Sequence, residues 1–169
     1  MEQESAAAIG KNLRKVIEDI RNNIFDLRPM SFDDLGIKET IEKMLLMINQ
    51  DRHFKIETDI EDIKSNCDDS KDKVILLSIY RIIQECVQNS IKHSQGDIIK
   101  VSLKDKTDSY EIIIQDNGIG FNVNESVKKD NHFGLSVIKE RVSLLNGIIE
   151  IDTQKGTLIR IHIPQGVEG

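Results

Sequence analysis

The chain has little of what several common functions require. Its 169 residues contain two cysteines, Cys67 and Cys86, with neither metal spacing nor a CxxC arrangement. Cys86 stands among apolar helix residues and is expected in the core. Cys67 lies in the polar stretch Ser65-Asn66-Cys67-Asp68-Asp69. Two free thiols fit a reducing compartment, so a cytoplasmic location is expected. Basic excess is missing too: the formal net charge is -6, and Lys128-Lys129 is only a local pair. That balance argues against direct nucleic-acid binding. No apolar run approaches the roughly 20 residues that span a bilayer. The start, Met1-Glu2-Gln3-Glu4-Ser5, is acidic and polar, unlike a secretory signal. A longer parent protein could still carry a membrane segment.

Familiar site patterns are absent as well. There is no G-x-x-x-x-G-K-[ST] and no strand-linked G-x-G-x-x-G, which sets aside P-loop and Rossmann nucleotide sites. His53, His93, His132 and His162 form no H-E-x-x-H-like metal spacing. No Ser-His-Asp or Cys-His motif stands out.

What is present is an ordinary soluble composition, 38% hydrophobic and 31% charged, with a clear order of elements. Residues 6 to 27 read as a long amphipathic helix. Ile9, Leu13, Val16, Ile20 and Leu27 make its stripe, widened by Ile17 and Ile24. Arg28-Pro29 ends it. The stripe could fold back on its own domain or join an intermolecular bundle. A second helix is expected from about 34 to 49, and the alternating segment from His53 to Ile60 reads as a strand. A helix follows over about 72 to 93, then strands at 98 to 103 and 111 to 115 with a turn between them. Residues 117 to 132 read as a mobile loop. Another helix runs from about 133 to 145, stopped by Asn146-Gly147 as a left-handed cap. Strands at 148 to 152 and 157 to 163 form a closing hairpin. This order predicts a two-layer α/β sandwich: a mixed sheet with three helices, preceded by the long N-terminal helix.

Four stretches carry chemistry. Glu85, Asn89, Lys92 and His93 lie at i, i+4, i+7 and i+8, hence on one helix face. Ile79, Ile83, Cys86 and Val87 occupy the neighbouring face, which would pack on the sheet. The Asn89 side-chain oxygen can ligate magnesium, a hard cation that takes oxygen ligands, with Glu85 beside it. Glu85 can also orient or deprotonate a water or nucleophile. Lys92 and His93 can offset phosphate charge. An ordinary solvated face has the same composition. Asp116 ends a strand, and an ionised carboxylate only accepts hydrogen bonds. It therefore suits the exocyclic amino group of adenine. Gly118 and Gly120 allow unusual backbone angles and close approach to a ligand. A plain Asn-Gly hairpin turn is the simpler account, but the long loop that follows fits it poorly. Phe133-Gly134-Leu135 opens a helix whose free N–H groups could face a phosphate. Gly156-Thr157 opens the last strand, where the Thr157 hydroxyl could reach a base.

Taken together and in this order, the four stretches resemble the ATP-site boxes of the superfamily that unites gyrase, MutL and the histidine kinases. From about Ser31 to Pro164 the chain resembles the catalytic and ATP-binding domain of a sensor histidine kinase, of the NarL-partner branch and most closely its DegS-like members. The segment from Ile20 to Gly36, with Leu27-Arg28-Pro29 inside it, resembles the end of that branch's second dimerisation helix. The stretch 84 to 94 resembles the N box, 116 to 121 the first glycine box, and 133 to 145 the second.

The resemblance implies two parts: residues 1–30 as part of the dimerisation and phosphotransfer domain, and 31–169 as the catalytic domain. It implies ATP and Mg2+ as cofactors. Asp116 would bind adenine, and Asn89 would ligate the metal with Glu85 close by. Lys92 and His93 would lie near the phosphates. Gly118, Gly120 and Gly134 would border a lid, and Thr157 would support the base. It implies as partners the protein's own dimerisation helix, a second kinase subunit, and a response regulator with a DNA-binding output. One departure matters: no histidine precedes His53, so the phosphoacceptor helix is expected outside this chain. A serine kinase of the anti-sigma type and a degenerate partner-binding module remain as rival readings.

Overall fold

The computed structural model describes residues 32–50, 54–63, 70–120 and 133–165. The expected helix over 6 to 27, His53, Cys67, Lys128-Lys129, His132 and most of the expected lid lie outside the described residues. The chain divides into two units, Met1–Asp34 and Leu35–Gly169, and the five strands with the helices packed on them belong to the second.

The elements are α1 (Phe32–Ile48), β1 (Lys55–Ile60), α2 (Ser70–His93), β2 (Ile98–Asp105), β3 (Ser109–Asp116), α3 (Phe133–Leu144), β4 (Ile148–Asp152) and β5 (Leu158–Pro164). They form one five-stranded sheet in the order β1-β2-β3-β5-β4. β1 runs parallel to β2, and every other pairing is antiparallel. The sheet is therefore mixed, and β3 is its centre.

Alternation along the strands decides which face is buried. In β2, Ile99, Val101 and Leu103 point inward. In β3 the inward set is Tyr110, Ile112, Ile114 and Asp116, and in β5 it is Ile159, Ile161 and Ile163. The register places Val101 beside Ile114, and Ile114 beside Ile159, so the apolar face is continuous. The opposite face holds Glu57, Lys100, Lys104, Glu111 and Arg160. Lys104 pairs there with Asp59 at 2.6 Å and with Glu61 at 3.3 Å. One face is thus a core and the other is solvated, as antiparallel sheets commonly arrange.

α2 contacts β2, β3 and α3, and α3 contacts β4. α2 buries Ile75, Leu76, Ile79, Ile82, Ile83, Cys86 and Val87. The stripe expected from 79, 83, 86 and 87 is therefore core, and Ile82 widens it. Burying one such side chain stabilises the fold by about 1.5–3 kcal/mol. Burial also pushes the Cys86 thiol well above its ordinary value, so it stays protonated.

Local chemistry sets the element ends. Gly36, at φ 74° and ψ 170°, interrupts α1, and Thr40 Oγ1 donates to its carbonyl at 2.7 Å. α3 ends with Asn146 in the left-handed region at φ 53°. Gly147 N–H then donates to Val142 O at 2.9 Å, and Asn146 N–H to Ser143 O at 3.0 Å. That pair is a Schellman cap with asparagine in the usual glycine position.

Candidate nucleotide site

Asp116 terminates the central strand on its inward face and is 2% exposed. A buried carboxylate must have its hydrogen bonds supplied by the protein. Oδ1 accepts from Gly118 N–H at 2.9 Å and from Thr157 N–H at 3.1 Å. Oδ2 accepts from Ser90 Oγ–H at 2.9 Å. Asp116 N–H also donates to Thr157 O at 2.9 Å. An ionised carboxylate offers about four acceptor positions. Three are taken among the described residues, and the fourth belongs to Oδ2.

The loop after β3 is locked onto the end of α2. Asn117 Oδ1 accepts from Asp97 N–H and Ile98 N–H, each at 3.0 Å. Asn117 Nδ2 donates to Asp97 Oδ1 at 2.7 Å. Ile119 N–H donates to Ser94 O at 2.8 Å. Gly118 presses against the backbone and side chain of Ser94, leaving no room for a β-carbon. The close approach expected of Gly118 is therefore to Ser94, and its φ is not in the left-handed region. Gly120 is left-handed, at φ 65°, and abuts the carbonyls of Thr153 and Gly156. The two glycines thus knit this loop to α2 on one side and to the β4–β5 turn on the other.

Glu85 and Asn89 meet on α2, one turn apart. Asn89 Nδ2 donates to Glu85 Oε1 at 3.3 Å. The first turn of α3 closes over them: a β-carbon on Gly134 would lie 2.5 Å from Glu85 Oε1 and 2.6 Å from Asn89 Nδ2. Glycine at 134 thus lets the α3 backbone approach two polar side chains that any other residue would displace. Phe133 and Leu135 flank it at the helix start. Lys92 and His93 are exposed in the last turn of α2, where cations also complement the helix dipole. Among the described residues no group of three or more His, Cys, Asp or Glu side chains forms a metal cluster. Magnesium needs no such cage, since it is commonly held by one or two protein oxygens together with phosphates and water.

Three structural partners are not evident from the motifs alone. Ser90 lies inside the N-box stretch and continues the apolar stripe of Ile83, Cys86 and Val87. A small hydroxyl on a buried stripe is the signal of a buried acceptor nearby. Asn117 has the composition of a turn residue, yet its side chain ties two segments together. Gly156 resembles an ordinary hairpin glycine, but at φ 78° it packs on the Asp116 carbonyl.

Comparison with known proteins agrees with this geometry. Residues 75–167 match the family described as histidine kinase-, DNA gyrase B- and HSP90-like ATPase. The chain is 33% identical over 160 residues to the signal transduction histidine-protein kinase/phosphatase DegS of Brevibacillus brevis, covering 91% of this chain and 40% of that protein. It is 36% identical over 140 residues to DegS of Bacillus subtilis, covering 81% of this chain and 36% of that protein. It therefore spans about two fifths of the length of these curated relatives. Among solved structures, the histidine kinase AdeS of Acinetobacter baumannii superposes with a TM-score of 0.65 at 19% identity, covering 95% of this chain and 85% of that one. At that identity the likeness concerns the fold. The chain belongs to the histidine kinase, gyrase B and HSP90-like ATPase family, whose domain binds ATP. Within it, the two curated relatives that the chain resembles are histidine-protein kinase/phosphatases named DegS.

Proposed function

We propose that this chain is the ATP-binding catalytic portion of a two-component sensor histidine kinase. Residues 31–169 form its catalytic domain, and residues 1–30 end its dimerisation and phosphotransfer domain. The observation that carries the reading is the Asp116 carboxylate, buried at the end of the central strand with one acceptor position left. A single acceptor in a dry site suits one N–H of the adenine amino group.

The residues present also fit magnesium. Asn89 Oδ1 and the Glu85 carboxylate are hard oxygen donors on one helix face, and Gly134 keeps side chains away from them. When bound, the ion offsets charge on the phosphates. Asn89 would hold it, with Glu85 beside it. Glu85 also orients or deprotonates the incoming nucleophile. Lys92 and His93 offset the remaining phosphate charge. Gly118, Gly120, Phe133, Gly134 and Leu135 border the nucleotide, and Thr157 supports the base. Phosphoryl transfer of this kind depends on positioning and charge neutralisation. The γ-phosphoryl passes to a histidine on a dimerisation helix outside this chain. From there it passes to a response regulator with a DNA-binding output domain. The site works in the cytoplasm.

The test is calorimetric titration of a non-hydrolysable ATP analogue with magnesium, on this chain and on Asp116→Ala. Saturable binding that disappears in the variant supports the adenine role. No binding by the starting chain overturns it as a property of this chain. Labelled ATP should leave no acid-labile phosphohistidine on the chain by itself, since no histidine precedes His53.

A further inference from the structure

An aspartate at a base pocket does not by itself choose adenine. A carboxylate with both oxygens open can equally pair with guanine, whose N1–H and 2-amino group present two parallel donors. Discrimination depends on how many acceptor positions the protein leaves, and on which oxygen.

Here the count is definite among the described residues. Both positions on Oδ1 are filled by backbone donors, Gly118 N–H and Thr157 N–H. Oδ2 carries one side-chain donor, Ser90 Oγ–H at 2.9 Å. Ser90 is 8% exposed and Asp116 is 2% exposed, so water does not compete freely for either group. A two-pronged pairing would need one open position on each oxygen. With Oδ1 saturated, only a single-donor contact to Oδ2 remains. Turning about the Cβ–Cγ bond would carry both oxygens off their donors. The two backbone bonds on Oδ1 resist that turn, and the Ser90 bond holds Oδ2 and leaves it one open position.

We propose that Ser90 is a positioning residue that sets the base selectivity of this site, holding Asp116 so that it accepts one donor from adenine and refuses the paired donors of guanine. The proposal rests on Asp116 as the adenine acceptor and adds the residue that makes that acceptor selective. Ser90 directly follows Asn89 on α2. The residue that steadies the base reader is therefore covalently adjacent to the candidate metal ligand.

The experiment measures dissociation constants for non-hydrolysable ATP and GTP analogues with magnesium, on the chain as it stands, on Ser90→Ala and on Ser90→Thr. Ser90→Ala removes one oxygen from a helix and favours helix formation, so the fold should survive; a thermal melt checks it. The starting chain should prefer the ATP analogue. In Ser90→Ala the affinity for ATP should fall about tenfold, as expected for losing a hydrogen bond to a charged group. The ATP-to-GTP preference should fall by about tenfold or more, and Ser90→Thr, which keeps the hydroxyl, should restore it where its extra methyl is accommodated. General loosening of the pocket would weaken both nucleotides together and leave the ratio unchanged. An unchanged ratio in Ser90→Ala overturns the proposal while leaving the ATP site intact. Nucleotide binding without adenine preference in the starting chain also overturns it. Failure of the starting chain to bind either nucleotide overturns the proposal together with the reading on which it rests.

Discussion

Asp116 and Thr157 hold each other twice: the Asp116 N–H donates to the Thr157 carbonyl at 2.9 Å, and the Thr157 N–H donates to Asp116 Oδ1 at 3.1 Å. One bond extends the ladder between β3 and β5. The other aims the carboxylate proposed to receive the base. The strand pairing that builds the sheet and the geometry of that candidate acceptor are therefore one construction, and damage to either reaches the other.

Gly156→Ala tests that dependence. Gly156 sits at φ 78°, and a β-carbon there meets the Asp116 backbone, which cannot swing aside. The variant suffers both the left-handed strain and the steric shift. A loss of about 2–4 kcal/mol in urea-unfolding free energy is expected, as for other changes that force backbone movement. Nucleotide affinity should fall in parallel.

Gly134→Ala should behave differently. Its β-carbon meets Glu85 Oε1 and Asn89 Nδ2, the far ends of flexible side chains. They can move, so stability should change by less than about 1 kcal/mol, near the benefit of alanine over glycine in a helix. Moving them displaces the candidate metal ligands. Magnesium-dependent nucleotide binding should fall at least about tenfold, on the order of one charged hydrogen bond. Calorimetric titration with and without magnesium, beside a thermal melt, separates the two effects.

Asn117→Asp should destabilise through charge. The Nδ2 donor that meets Asp97 Oδ1 at 2.7 Å would become a second carboxylate oxygen facing the first. The group is exposed, so the cost should be modest, about 1 kcal/mol, and it should shrink as salt screens the repulsion. Urea midpoints at low and high sodium chloride check both statements. Asn117→Ala loses that bond and also the two bonds to Oδ1, but brings no repulsion, and should show little salt dependence.

Glu61 should contribute to the acid limb of stability. The Asp105 N–H donates to its Oε2 at 2.9 Å, and Lys104 and Lys106 lie nearby; together they hold its carboxyl below the ordinary value of 4.5. A depressed carboxylate value gives stability that is present above 4.5 and lost as pH falls through the folded-state value. Glu61→Gln should therefore flatten the fall in melting temperature below about pH 4.5. Lys104 has the opposite sign. Its bond to Asp59 raises its value above 10.5, so its contribution is present below that pH and is lost as pH rises through the folded-state value. A variant acid limb as steep as the parent's would refute the Glu61 assignment.

Most elements are legible from periodicity, because helix and strand repeats are local properties. α2 is expected from about 72 and begins at Ser70, and β4 matches its expected span of 148 to 152. β2 and β3 each run about two residues further than expected, to Asp105 and from Ser109. Lys104, Asp105 and Ser109 look like turn residues by composition, but pairing with the neighbouring strand extends the ladder through them. The helical spacing of Glu85 and Asn89 correctly places them together.

Hydropathy and spacing thus decided the α/β order, the apolar stripe of α2, the Asn146 cap and the shared face of Glu85 and Asn89, since each depends only on residues a few positions apart. Only the folded chain decided that Ser90 reaches Asp116, 26 positions away; that Thr157 reaches it, 41 positions away; and that Gly134 closes over Glu85 and Asn89. It also decided that Gly118 packs against Ser94. Such contacts arise where distant segments are pressed together by burial, and no local repeat encodes which of them will touch.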